Sequence, residues 1–213
     1  MDVVINNTLA SFNPSQAGWQ FMWLILFVGL AGVGIAVERV LYIYVRSSKG
    51  RDLFLLEFGK LLADKKYEEA ISLCKDMRYA KLPIAAVMSA IVSVHDKGKD
   101  AIVAASDAAF LTEAPRVNRY LSIIALVASI ATLMGLCGTI FGLIITFDAV
   151  ANKPAAERPQ ALANGISVAM GTTLLGLFVA IPLLLTQGFL SLLSERVIQE
   201  MEEKGLKVIN SFA

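Results

Sequence analysis

Three long stretches of the chain carry no Asp, Glu, Lys or Arg, and each is long enough to cross a membrane. A helix needs about 20 mainly apolar residues to cross about 30 Å of hydrocarbon. The first stretch is polar at its start, so its spanning part begins near Gly18. The pattern predicts three transmembrane helices, at residues 18–45, 121–147 and 161–194.

The remaining segments are predicted to be mostly helical and to lie outside the hydrocarbon. Apolar residues recur at helical spacing within 46–120, where Pro83 is expected to begin a helix and Gly98 to mark a break. His95, the one histidine of the chain, falls in the turn before Gly98 and is expected at the surface. A further helix from about Asp100 is expected to run through Pro115 into the second span. We expect a short external segment at 1–17, a cytoplasmic helical domain at 46–120, an external loop at 148–160 and a cytoplasmic C-terminal helix at 195–213. The apolar stripe of that last helix is predicted to comprise Val197, Met201, Leu206 and Ile209.

Composition supports a membrane protein, and the distribution of charge predicts its orientation across the membrane. Hydrophobic residues make up 56% of the chain, more than is usual in soluble domains. Segment 1–20 has no Lys or Arg, whereas 46–120 has thirteen. The positive-inside rule therefore places the N-terminus outside and the C-terminus in the cytoplasm. No basic segment precedes the first apolar run, so we expect the first helix to be retained as an anchor.

Small and hydroxyl residues form one stripe on each of the last two predicted spans. On the second span they recur at steps of three and four residues, and a matching stripe follows on the third span, where Thr172 adjoins Thr173. Such stripes allow close packing of helix backbones. They comprise Ala128, Thr132, Gly135, Thr139, Gly142 and Thr146, and then Gly165, Ala169, Thr173, Gly176 and Ala180. One interpretation is packing alone. The other is a weakly polar path for ions, or a surface past which a partner helix moves.

The charged residues near the spans lie at their ends. Asp148 and Asn164 could form an external mouth, although a plain loop acid is the simpler interpretation of Asp148. Glu38 and Arg39 are predicted to anchor the first helix at the interface with snorkelling side chains. A proton relay normally needs an ionisable group within the membrane, and none occurs between 121 and 147 or between 160 and 194. The sequence shows no catalytic motif, metal-spaced cluster or phosphate loop, so we expect neither an enzyme nor a bound cofactor or metal.

Two segments resemble the motifs of a known family. Gly135-Leu-Cys-Gly138-Thr139-Ile-Phe-Gly142 and the run from Gly165 through Thr172-Thr173 to Pro182 are similar to the second-span and third-span motifs of the MotA/TolQ/ExbB proton-channel family. Three spans rather than four are typical of the ExbB/TolQ branch. Two positions depart from many relatives, because Val168 replaces a glutamate and Thr132 replaces a proline.

The resemblance implies an all-α integral membrane protein that forms a pentameric helical channel. It implies a dimer of a single-span ExbD/TolR-like partner whose membrane aspartate carries the proton, and a TonB/TolA-like protein that transmits force. It places Thr139 and Thr173 in the pore. From the stripes we add the neighbouring Thr132, Thr146 and Thr172 to this predicted path, and we expect close helix packing at Gly135, Gly138, Gly142, Gly165, Ala169 and Gly176. The implied location is the bacterial inner membrane. The implied ion is the proton, and sodium stays open because hydroxyl oxygens can ligate it. A scaffold without ion conduction is the alternative function.

Overall fold

The computed structural model describes residue 8 and residues 11–14, 18–43 and 50–212. These residues form helices joined by short turns, and no strand occurs among them. The helices are α1 Trp19–Leu41, α2 Arg51–Ala63, α3 Tyr67–Lys75, α4 Pro83–Val92, α5 Lys99–Asn118, α6 Leu121–Ala151 and α7 Arg158–Ser211. The predicted all-helical class is confirmed. Most of the predicted external segment 1–17, and residues 44–49, lie outside the described residues.

Three stretches of helix are long and apolar enough to cross a membrane. They lie in Trp19–Leu41, in Lys99–Ala151 and in Arg158–Ser211. The chain is therefore a multi-pass membrane protein. The helices extend beyond the predicted spans, because α6 continues past Asp148 to Ala151 and α7 already begins at Arg158. The turn between them is thus shorter than the predicted loop at 148–160.

The described residues divide into two compact units, of which the first comprises those up to 36 and those at 122–188. Here α6 and α7 form an antiparallel hairpin, in which Thr146 lies near Gly165 and Ala131 lies near Gly176. The α1 segment packs on this hairpin through glycines. A β-carbon placed on Gly32 would lie 2.7 Å from both Val127 and Leu183 side-chain atoms.

The second unit comprises the described residues of 37–121 and 189–212. Its core joins α2, α3 and α4 to α5 and to the C-terminal part of α7. Pro83 begins α4 as predicted, because a missing N–H costs nothing at the first helical position. The largest buried side chains of this core are Phe54, Phe58, Leu82, Met88, Ile91 and Met201.

Three expectations for the second unit are wrong in detail. Leu206 is 53% exposed, and Gly205 and Val208 take its place on the buried face of α7. His95, expected at the surface, is half-buried with its ring 4.2 Å from that of Tyr67. The helix from Lys99 does not run into the second span, since it ends after passing Pro115 and Tyr120 takes a left-handed φ of 68° before α6 begins.

Candidate functional site on the threonine and glycine faces of α6 and α7

Glycines allow the backbones of α6 and α7 to touch. A β-carbon on Gly176 would lie 2.7 Å from the Ala131 carbonyl oxygen, and one on Gly135 would lie 3.0 Å from the Thr172 carbonyl oxygen. A β-carbon on Gly138 would lie 2.7 Å from Thr172 Cβ. A side chain at Gly176 or Gly138 would force its neighbour to shift, and one at Gly135 would require its neighbour to give by a few tenths of an ångström. The two predicted stripes therefore face each other along the hairpin of a single chain.

Thr172 and Thr173 both reach across to the Gly135 carbonyl oxygen. Each hydroxyl oxygen lies 3.0 Å from it. Thr172 also lies 2.7 Å from the carbonyl of Ala169 on its own helix. Because a hydroxyl carries one proton, Thr172 shares that proton between two carbonyls. Gly135 thus supplies both the space and the acceptor that join the two helices.

The threonines of α6 donate to their own helix. Thr132 donates to Ala128 at 3.2 Å, Thr139 to Leu136 at 2.6 Å and Thr146 to Gly142 at 2.7 Å. This back-bonding satisfies each hydroxyl proton where water is scarce. The Thr139 oxygen keeps its lone pairs, and the Thr173 hydroxyl lies 3.4 Å from it. Thr139 and Thr173 are thus a pair of predicted pore threonines whose side chains meet across the two helices.

Burial divides the five predicted pore threonines into two groups. Thr146 and Thr172 are buried inside the hairpin, Thr146 against Gly165 and Thr172 with 0% of its surface exposed. Thr132, Thr139 and Thr173 are half-buried at the edge of the contact. Only this second group could meet another chain without the hairpin opening. Sequence spacing did not reveal this division. Thr172 and Thr173 are adjacent in the sequence, yet the first is buried and the second is half-buried.

The remaining packing residues lie on the same buried face. Gly142 is buried and its carbonyl accepts from Thr146, while Ala169 is 1% exposed. Sequence analysis missed the matching face of α1, where Gly29 and Gly32 are buried beside Met22 and Ile25. The signal was present as small residues three apart, but it was interpreted only as part of an apolar run.

The two residues of the predicted external mouth are exposed. Asp148 lies in the last turn of α6, and its backbone carbonyl accepts from the Asn152 side chain at 3.3 Å. Asn164 lies in α7 and accepts from the Gln160 side chain at 3.2 Å. The mouth thus stays a prediction. No group of three or more His, Cys, Asp or Glu that could hold a metal occurs among the described residues.

Arg39 does not snorkel as predicted, although its role as an anchor stays a prediction. Its side chain is 4% exposed and forms two hydrogen bonds of 3.0 Å to the Glu38 carboxylate. Its guanidinium lies 4.8 Å from the ring centres of both Tyr42 and Tyr120. A long bond of 3.4 Å reaches the Arg116 carbonyl. Tyr120, which sequence analysis missed, carries no motif that would have identified it.

Comparison with known proteins identifies the family of the chain. The family model for the MotA/TolQ/ExbB proton channel family matches residues 78–203, more than half of the chain, and this range contains both threonine and glycine faces. The chain belongs to this family. Its curated relatives carry ExbB names, which places the chain on the ExbB-like branch.

A putative biopolymer transport protein ExbB homologue of Methanothermobacter thermautotrophicus is 26% identical over 184 residues, covering 86% of this chain and 64% of the relative. The biopolymer transport protein exbB1 of Vibrio cholerae is 39% identical over 85 residues, covering 40% of this chain and 37% of the relative. The biopolymer transport protein ExbB of Aquifex aeolicus is 38% identical over 74 residues, covering 35% of this chain and 49% of the relative. The matched region spans less than two thirds of each of these relatives.

Proposed function

We propose that this chain is the channel subunit of an inner-membrane motor that couples the proton-motive force to work on envelope proteins, as in biopolymer transport. The observation that carries the proposal is the half-buried pair Thr139 and Thr173 at the edge of the α6–α7 hairpin. The family match over residues 78–203 supports it. The proposed topology has the N-terminus outside and the C-terminus in the cytoplasm, on the basis of the Lys and Arg distribution.

The two helices of the hairpin do not supply an acid of their own within the hydrocarbon. From Leu121 to Phe147, and again from Gln160 to Ser194, the chain carries no ionisable Asp, Glu, Lys or Arg. A charged carboxylate at the membrane centre is costly, so a moving carboxylate should cross as the neutral acid. We therefore assign the proton-carrying aspartate to a single-span ExbD/TolR-like partner, present as a dimer. The same hydroxyls could ligate sodium, and the proton is the ion we favour.

Thr139 and Thr173 would act as the surface past which that aspartate travels. The Thr139 proton is engaged with Leu136 and the Thr173 proton points towards Gly135, so both hydroxyl oxygens keep lone pairs. Lone pairs can accept a hydrogen bond from a protonated carboxyl and would repel the ionised form. Thr132 could extend this surface along the same edge. Asp148 and Asn164 would lie at its outer end.

We further propose a homopentamer around that partner, with a TonB/TolA-like protein receiving the force. The support is the large apolar surface that the first unit leaves exposed on α6 and α7. Side chains this exposed need lipid or another protein chain beside them. They include Leu133, Leu136, Ile140, Ile144, Phe178, Ile181 and Leu185.

The proposal is tested with the double variant Thr139→Val/Thr173→Val. Valine keeps the shape of threonine and removes the hydroxyl, so the complex should assemble while the energised envelope process is lost. Thr186→Val is the matched control, because Thr186 lies on α7 and donates to its own helix, at Pro182. A double variant with wild-type coupling would overturn the pore role of the two threonines.

A scaffold without ion conduction is the second candidate. The observation that favours it is that Thr132, Thr139, Thr146 and Thr172 all donate to backbone carbonyls, as packing alone would require. Under the scaffold function the envelope process should continue after a protonophore collapses the proton gradient. Under the motor function it should stop at once, with the complex still assembled.

A further inference from the structure

The break between α5 and α6 is held by residues that come from another part of the chain. Without the break, the helix would run from Lys99 to Ala151. It is interrupted at Arg119, which is extended with φ −54° and ψ 136°, and at Tyr120, whose φ is 68°. A bulky L-residue at positive φ is disfavoured, because its β-carbon approaches the backbone. The surrounding contacts must therefore stabilise this conformation.

Arg39 makes those contacts. In a continuous α-helix the Arg116 carbonyl would accept from the N–H of Tyr120. The break removes that bond, and Arg39 Nη1 reaches the same carbonyl at 3.4 Å. A cation is also favourable at the C-terminus of a helix, where carbonyls carry partial negative charge. Arg39 thus substitutes for the bond that the helix loses.

The same guanidinium fixes the ring of the strained residue. It lies 4.8 Å from the Tyr120 ring centre on one side and 4.8 Å from that of Tyr42 on another. The Glu38 carboxylate orients it through two hydrogen bonds. Next to the break, the buried Ser194 hydroxyl donates to the Asn118 side chain and ties the end of α5 to α7.

We propose that the break at Arg119–Tyr120 is a joint with two conformations, which we call the interrupted and the continuous setting. Arg39 stabilises the interrupted one. When the guanidinium leaves Tyr120 and the Arg116 carbonyl, residues 117–121 can become helical and α5 joins α6. A displacement at the end of α1 would then change the helix that leads into the second span. This inference does not depend on which ion, if any, the protein conducts.

Hydrogen exchange of the full-length protein tests the joint. In the interrupted setting the first four N–H groups at the start of α6, those of residues 120–123, have no partner within their helix. In Arg39→Met they should acquire carbonyl partners and exchange more slowly, by roughly tenfold or more. Unchanged or faster exchange in these amides would overturn the proposal, since mere loosening of the structure speeds exchange.

Three further variants keep the test decisive. Arg119→Met is the matched control, because Arg119 also lies over the Tyr120 ring, at 4.5 Å, but has no bond to the Arg116 carbonyl. It should exchange as the wild type does. Tyr120→Gly accepts positive φ without strain, so Arg39→Met should no longer slow exchange in that background. If Arg39→Met does not fold, Tyr120→Ala with Arg39 intact should slow exchange, and its failure to do so would equally contradict the joint.

Discussion

At the scale of single residues, the hairpin depends on the absence of side chains at a few positions. Gly176 lies against the backbone of Ala131, which cannot rotate away as a side chain could. Gly188 lies twelve residues further along the same helix, and a β-carbon there would have nothing within 4 Å outside its own helix backbone. Alanine substitutions at Gly176 and Gly188 therefore separate the effect of packing from the effect of helix propensity.

We expect Gly176→Ala to destabilise the protein and Gly188→Ala to leave it unchanged or slightly more stable. Alanine is favoured over glycine in a helix by up to about 1 kcal/mol. At Gly176 overpacking should outweigh this gain, at a typical cost of about 1–3 kcal/mol. Thermal unfolding in detergent measures both variants. Equal midpoints for the two would mean that α6 and α7 do not touch at this position.

The buried Cys74 thiol should be unreactive in the folded protein. Burial raises the pKa of the Cys74 thiol from 9.0 to about 12. Burial disfavours the charged thiolate, so the folded state holds the thiol proton more tightly than the unfolded state does. This contribution to stability is fully present below pH 9 and is lost as the pH rises towards 12. In a Cys137→Ser background, alkylation at about pH 8 should require unfolding, because the thiolate is the reactive form. Rapid alkylation of the native protein would contradict the buried position of Cys74.

Residue types in the sequence identified the two faces, but the sequence could not assign the threonines on them. Thr172 and Thr173 differ by one step of about 100° around the helix, which decides whether a side chain lies inside the hairpin or at its edge. That angle depends on how α7 is rotated against α6. Contacts such as that of Gly176 with Ala131 set the rotation, and they exist only once both helices are placed.

At the scale of helices, the C-terminal part of α7 shows why an apolar stripe can be misplaced. Hydrophobicity selected Leu206, whereas the buried face continues from Met201 through Gly205 to Val208. Gly205 has no side chain to signal burial, yet it lies close to Val87 and Ile91 of α4. Small residues at close contacts are the positions that a hydrophobicity pattern overlooks.

Met201→Ala and Leu206→Ala should therefore have very different effects. Met201 is 1% exposed in the core of the second unit, and its truncation should cost about 2–5 kcal/mol. Leu206→Ala should change the free energy of unfolding by less than about 0.5 kcal/mol, as is usual at the surface. Unfolding midpoints in detergent compare the two. A larger loss from Leu206→Ala would restore the stripe predicted from the sequence.

The break between α5 and α6 was also not predicted from the sequence. The helix is expected from its sequence to run through Pro115 into the second span, but it passes Pro115 and ends at Asn118. The contacts that hold the break come from Arg39, which is 77 residues away from Arg116 in sequence. Local pattern cannot report a contact of that separation.

At the scale of the whole molecule, hydropathy was sufficient to find three spans and the helical class. Charge-free runs of this length have no other common explanation. What hydropathy could not supply is the identity of the neighbours of the exposed apolar side chains on α6 and α7. Leu133 and Phe178 are suited equally to lipid and to another helix.

Native mass spectrometry of the complex extracted from its membrane addresses those neighbours. We expect five copies of this chain, because a ring would cover part of the exposed apolar surface and enclose the partner. We also expect two copies of a short chain with a single span that contains one aspartate. A monomer free of such a chain would contradict the proposed assembly.

Proton flux is the most direct test of the central claim that Thr139 and Thr173 form a surface for proton-coupled movement. The complex with its co-purifying partner is reconstituted in liposomes that carry a pH-sensitive dye and an imposed pH gradient. The wild type and Thr186→Val should dissipate the gradient, and Thr139→Val/Thr173→Val should retain it as empty liposomes do. Equal flux through the double variant and the wild type would contradict the account.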